Sequence, residues 1–119
     1  MRTRRLRAFA AVSILVLLVV PGYGHAILLS ATPALNATVK GPDITVRLRF
    51  NARIDSERSR LILLATGGNQ RILSVSRISP PDTLNAEAKG LVGGSYILRW
   101  QVLANDGHIT RGEVPFVVQ

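Results

Sequence analysis

The 119-residue chain contains no cysteine, and this absence excludes several kinds of site. A disulfide framework, a thiolate zinc site, an iron–sulfur cluster and a cysteine nucleophile all require thiols. Methionine occurs only at Met1, so thioether ligands are scarce as well. Histidine occurs twice, at His25 and His108, so an imidazole-based metal site has to use these two residues.

Aromatic residues are also scarce, at 5% of the chain, and the basic residues that follow the first eight positions are not clustered. The formal charge is +8, but four arginines lie in the first eight residues, and the rest of the chain carries 11 basic against 7 acidic residues. A nucleic-acid surface would combine clustered basic side chains with interleaved aromatic ones. We therefore expect no nucleic-acid partner and predict solvated, arginine-bearing strand faces. Anionic lipid headgroups remain open as a weak partner.

The amino-terminal segment has the pattern of an export signal. Residues 1–8 carry four arginines and no acidic residue, and residues 9–20 form an almost uninterrupted apolar run. Twelve residues suit a secretory signal and fall short of the roughly 20 that span a bilayer. Cleavage after Gly24 would leave His25 as the first residue, whereas cleavage after Ala26 would remove it. Both sites have the required small residues, and the local sequence does not choose between them.

One domain is predicted after this leader. No repeat, low-complexity tract or second apolar stretch of membrane length follows residue 25. About 95 residues are enough to enclose a single buried core. We therefore expect a cleaved signal peptide that ends at Gly24 or Ala26, followed by one soluble domain outside the cytoplasm.

The pattern of the mature chain is that of short strands separated by turn residues. In the segment Ile44–Phe50, apolar residues alternate with threonine and arginine, the period of two expected of a half-buried strand. The segment Tyr96–Leu103 repeats this alternation, with Tyr96, Leu98, Trp100 and Val102 on one face. Further strands are expected at 27–30, 61–66, 72–77, 86–89 and 113–118. About seven strands and no convincing helix predict an all-β, immunoglobulin-like sandwich held together by apolar packing.

The segment Asn105-Asp106-Gly107-His108 lies between the last two predicted strands and has two interpretations. Asp-Gly is a common pair in tight turns, so the segment taken alone favours a simple connection. Alternatively, an aspartate and a histidine two residues apart in an extended segment project to the same side and could hold one metal ion. A chain that begins at His25 would add a free amine and a second imidazole. Three nitrogens and one oxygen suit a tetragonal Cu(II) ion.

The chain resembles the CopC family of periplasmic copper-resistance proteins over essentially all of the residues after the leader. The matching residues are His25-Ala26-x-Leu28-x-Ser30-x-x-Pro33-Ala34, Val46-Arg47-Leu48-Arg49-Phe50, Gly94-x-Tyr96-x-x-x-Trp100-x-Val102, Asp106-Gly107-His108, Gly112 and Phe116. This resemblance implies an immunoglobulin-like Greek-key sandwich that binds one Cu(II) through His25 (amine and imidazole), Asp106 and His108. It also favours cleavage after Gly24, since members of the family begin at this histidine. Residues 1–24 are then the signal peptide and residues 25–119 the copper-binding domain.

The resemblance further implies a monomeric periplasmic protein that sequesters copper or delivers it to a CopD-type inner-membrane transporter, without a catalytic step. Two departures from the family are visible. Some relatives carry a methionine-rich segment for Cu(I), which this chain lacks. Many relatives place a glutamate shortly after the strand Ile44–Phe50, where this chain has Asn51-Ala52-Arg53. An acidic partner that would orient a metal-bound histidine is therefore missing or replaced.

Two other functions compete with copper carriage. A leading histidine and a second histidine on a sandwich also resemble the copper brace of lytic polysaccharide monooxygenases. Those enzymes expose an aromatic platform, whereas Phe50, Tyr96, Trp100 and Phe116 are all expected to face the core. The remaining alternative is a metal-free structural or adhesive module.

Overall fold

The computed structural model describes residues 25–119, in which eight strands form two sheets. The predicted signal peptide, residues 1–24, lies outside the described residues. The strands are β1 (Leu28–Thr32), β2 (Thr38–Val39), β3 (Ile44–Phe50), β4 (Ile54–Ala65), β5 (Gln70–Leu73), β6 (Thr83–Ala88), β7 (Gly94–Ala104) and β8 (Ile109–Val118). No helix within residues 25–119 is long and apolar enough to cross a membrane.

The two sheets face each other across one apolar core. The smaller sheet has the strand order β1-β3-β6 and the larger has the order β2-β8-β7-β4-β5. All pairings are antiparallel except that of β2 with β8. The predicted all-β, immunoglobulin-like sandwich is confirmed.

The β3 strand occupies the range predicted from its alternation. Its apolar residues are buried and its threonine and two arginines are exposed. Phe50, at the end of the strand, is fully buried and meets Trp100 of β7 edge to face, with ring centroids 5.2 Å apart. The period of two therefore identified the core face of the smaller sheet correctly.

The hairpin of β7 and β8 forms the centre of the larger sheet. Tyr96 and Phe116 stack with ring centroids 5.7 Å apart, and both are buried. Trp100 pairs directly with Gly112, and its indole ring occupies the space in which a side chain at position 112 would lie. A methyl carbon added at Gly112 would stand 2.3 Å from Cζ2 of Trp100. This close approach explains why the strand has a glycine there.

Several elements differ from the sequence prediction. The strand β6 begins at Thr83 rather than at residue 86, and β8 begins at Ile109 rather than at residue 113. The short strand β2 was not expected. The strand β4 begins at Ile54 rather than at residue 61, because an irregularity between Asp55 and Arg60 accommodates the polar residues without ending the strand. The strand β5 stops at Leu73 rather than at residue 77, since Val75 already bridges to Ala86 of the other sheet.

Candidate metal centre

The segment that joins β7 to β8 is a tight turn. The N–H of Gly107 donates to the carbonyl of Ala104 (2.9 Å), and the N–H of Ala104 donates to the carbonyl of His108 (2.8 Å). Gly107 has a φ of 89°, a left-handed conformation that glycine adopts without strain. The predicted turn is confirmed. The expected extended conformation of Asp106 and His108 is wrong, because the chain reverses direction at these residues.

The turn brings Asp106 and His108 together by hydrogen bonding. One carboxylate oxygen of Asp106 accepts the backbone N–H of His108 (3.1 Å), and the other lies 3.0 Å from Nδ1 of the same residue. The bond from the backbone N–H is the main reason why the pKa of Asp106 lies below its usual value. Partial desolvation opposes this shift, and the imidazole contact reinforces it. The carboxylate is therefore ionised at neutral pH and aligned on the imidazole.

His25 approaches this turn from the other sheet. It precedes β1, and its ring centroid lies 5.6 Å from that of His108, with the two ring planes inclined by 53°. Its side chain is exposed, whereas the next residue, Ala26, is fully buried in the core. The fold thus brings together two histidines that are about 80 positions apart in the sequence.

The loop between β3 and β4 contacts both halves of this cluster. The N–H of Ile27 donates to Oδ1 of Asn51 (2.7 Å), and the N–H of Asn51 donates to the carbonyl of Ile27 (3.0 Å). At the other end of the loop, the carbonyl of Arg53 accepts the N–H of Asn105 in the β7–β8 turn (3.1 Å). The loop therefore connects the segment that carries His25 to the turn that carries the other two residues.

The three predicted ligands are neighbours, but they do not form a complete metal site as they stand. Within the part of the chain that the structure describes, no three histidine or acidic side chains converge as a group able to hold a metal ion. The carboxylate of Asp106 points at the imidazole of His108, and the backbone nitrogen of His25 is in a peptide bond with Gly24 in the full chain. A free amine at His25 would supply a further nitrogen donor.

The aromatic residues of the described chain lie in the core, as predicted. Phe50, Tyr96, Trp100 and Phe116 are each at most 6% exposed. None of them can therefore form a flat platform for a polysaccharide beside the two histidines.

Asn51 is the residue near the cluster whose role the sequence did not reveal. The sequence indicated only that this position has no acidic residue. Its contacts with Ile27 depend on the pairing of β1 with β3, including the irregularity between Leu28 and Ser30. The polar side chain directly after a core strand was the available signal, but the partner strand could not be identified from the sequence.

Solved structures share this fold. The crystal structure of CopC from Methylosinus trichosporium OB3b superposes with a TM-score of 0.72 and 29% identity, covering 80% of this chain and 94% of that chain. PcoC of Escherichia coli, a methionine-rich copper resistance protein, gives a TM-score of 0.69 and covers 80% of this chain and 99% of that one. Its 22% identity supports a likeness of fold alone.

Sequence comparison gives the same result. Copper resistance protein C of Xanthomonas campestris pv. juglandis is 27% identical over 105 residues, which are 82% of each chain. The family model described as the CopC domain matches residues 28–119, nearly all of the sandwich. The resemblance noted in the sequence is confirmed, and the chain belongs to the CopC family.

Proposed function

We propose that this protein binds one Cu(II) ion and sequesters it or passes it on, as part of copper resistance or homeostasis. The ligands in this proposal are the amine and imidazole of His25, the carboxylate of Asp106 and the imidazole of His108. The observation that carries it is the 5.6 Å separation of the two imidazoles, with the Asp106 carboxylate 3.0 Å from one of them. The relative named copper resistance protein C supports the choice of metal.

The proposal includes export and cleavage after Gly24. Removal of residues 1–24 would convert the nitrogen of His25 from an amide into an amine, and amines bind Cu(II) only after losing a proton. A free α-amino group has a reference pKa of about 7.7–8.0. Copper affinity should therefore fall as the pH falls, because protons compete with Cu(II) for the nitrogen ligands. Such a chain would work in the periplasm as a monomer, with a CopD-type membrane protein as the partner that receives copper.

The electrostatics of Asp106 suit a cation ligand. Its pKa is lowered by the N–H of His108, so it carries a negative charge at neutral pH. The carboxylate can neutralise part of the charge on Cu(II), and its contact with the imidazole fixes the orientation of the ring. No step in this function requires catalysis, so we propose a carrier rather than an enzyme.

A copper titration of the chain that begins at His25 tests this proposal. We expect one equivalent of Cu(II) with a nitrogen-rich tetragonal spectrum. The variant His108→Ala should lose at least about 100-fold in affinity, and Asp106→Asn about 10- to 100-fold. Asp43→Asn is the matched control, because Asp43 also accepts a backbone N–H, that of Gly90 (3.0 Å), outside the cluster. Its affinity should equal that of the wild type.

Other outcomes would identify a different function. A structural or adhesive module would show no stoichiometric copper signal. Turnover of oxygen or peroxide by the copper-loaded protein would indicate an oxidative enzyme and contradict the carrier.

A further inference from the structure

We infer that Asn51 is a positioning residue that holds the amino-terminal ligand of the copper site in place, an inference that rests on the proposed function. Its side-chain oxygen accepts the N–H of Ile27 at 2.7 Å, and its own N–H donates to the carbonyl of Ile27 at 3.0 Å. Both polar groups of the Ile27 backbone are thus bound by one residue. Ile27 is two positions from His25, so this pair of bonds restrains the start of the chain.

The two hydrogen bonds to Ile27 lie just before the first residue of β1 that pairs with β3. The pairing of β1 with β3 begins at Leu28, which lies opposite Phe50. An extended chain advances about 3.3 Å per residue, so residues 25–27 could otherwise move the terminal amine over roughly 10 Å. Free chain ends fray unless they are tied down. Asn51 restrains Ile27 through its hydrogen bonds, and the preceding residue, Ala26, is anchored by its burial in the core.

The same loop fixes the opposite side of the site. Arg53 follows Asn51 by two residues, and its backbone carbonyl accepts the N–H of Asn105 at 3.1 Å. Asn105 directly precedes Asp106. The segment Asn51–Arg53 therefore sets the distance between the two parts of the proposed site before any metal arrives. Preorganisation of this kind raises affinity because less ordering remains to be done on binding.

This role also explains why position 51 carries an amide. An asparagine offers an oxygen acceptor to the N–H of Ile27. Its contribution is positional, and it does not contact the metal in this proposal.

Amide hydrogen exchange of the metal-free chain that begins at His25 tests the restraint directly. The Ile27 amide should be protected in the wild type. In Asn51→Ala it should exchange faster by about two- to tenfold, the range that one net hydrogen bond supports. Asn51→Asp retains an oxygen acceptor at the same place and should restore the protection.

Copper titration of the same variants tests the consequence for the ligand. Asn51→Ala should lose about two- to tenfold in Cu(II) affinity. Asn51→Asp should bind at least as tightly as the wild type, since it keeps the acceptor. Asn85→Ala is the matched control, because Asn85 lies on β6 and its side chain donates to the hydroxyl of Ser79 (3.1 Å), away from the site. This control should match the wild type in copper affinity and in Ile27 exchange.

The outcomes separate this inference from the function on which it rests. If the wild type binds copper but Asn51→Ala binds it equally well, or if Asn51→Asp binds as weakly as Asn51→Ala, the positioning role is wrong and the copper function stands. If the wild type takes up no copper, the proposed function fails and the role in ligand positioning fails with it.

Discussion

Asp82 shows how one surface carboxylate joins two strands of the smaller sheet. Its carboxylate accepts hydrogen bonds from the hydroxyl of Thr83 (2.8 Å) and from Nε of Arg49 (3.3 Å). Its backbone carbonyl accepts the N–H of Phe50 (2.8 Å). The Thr83 hydroxyl is the main reason why the pKa of Asp82 lies below its usual value, and Arg49 adds to the effect. Partial desolvation acts in the opposite direction.

The lowered pKa of Asp82 predicts a defined pH dependence of stability. In the window between the folded and the unfolded pKa, the unfolded chain binds more protons, so stability rises with pH there. The contribution should be complete above about pH 4 and lost as the pH falls through the folded value. The difference in unfolding free energy between the wild type and Asp82→Asn should therefore shrink on acidification.

Thermal unfolding of both proteins between about pH 2 and pH 6 measures this difference. Thr83→Val removes the hydroxyl that contributes most to the lowered pKa of Asp82. This variant should therefore show a weaker pH dependence of the unfolding free energy. A difference that is constant over the whole range would show that Asp82 is not stabilised in this way.

Single residues of the candidate site differed in how well they could be predicted. His25 and His108 were identifiable because imidazoles are rare in this chain and have specific chemistry. Asp106 followed from its spacing to His108, although the conformation expected there was wrong. The contact of Asn51 with Ile27 depends on strand pairing, which single residues do not encode.

At the level of elements, the β7–β8 hairpin depends on one close contact between neighbouring strands. Trp100 lies over Gly112, so Gly112→Ala would place a methyl group within 2.3 Å of the indole. Overpacking of this kind destabilises a core by about 1–3 kcal/mol. We expect Gly112→Ala to lose stability by that amount.

Gly93→Ala is the matched control for this substitution. A methyl group at Gly93 would meet the carbonyl of Val118 at 3.4 Å, an ordinary contact distance. Its unfolding free energy should stay at the wild-type value or rise slightly, because alanine restricts the unfolded chain. Urea unfolding followed by Trp100 fluorescence measures both variants. Equal stability of Gly112→Ala and the wild type would contradict this packing.

Strand prediction succeeded where the alternation was strong and failed where tertiary contacts decide. The range of β3 was predicted in full, since every second residue is buried. The first half of β4 is polar, and an irregularity at Asp55 keeps it in the sheet. The two residues of β2 are held by pairing with β8, and no pattern in the sequence around them indicates this pairing.

At the level of the whole molecule, the sandwich places the start of its first strand beside the turn of its last hairpin. This arrangement places the ring of His25 beside that of His108, so residues from the two ends of the domain form one cluster. The sequence predicted the cluster through the family resemblance and the chemistry of its donors. It did not predict the loop that connects the two halves, because that loop has no metal-binding chemistry of its own.

The central claim is that the terminal amine of His25 binds copper together with the β7–β8 turn. The most direct test is a Cu(II) titration of the chain that begins at His25 against a chain that keeps Gly24 ahead of it. Both chains have the same histidines and the same Asp106, and only the amine moves. We expect one tightly bound equivalent in the first chain and at least about 100-fold weaker binding in the second. Equal affinity of the two chains would contradict the proposed site.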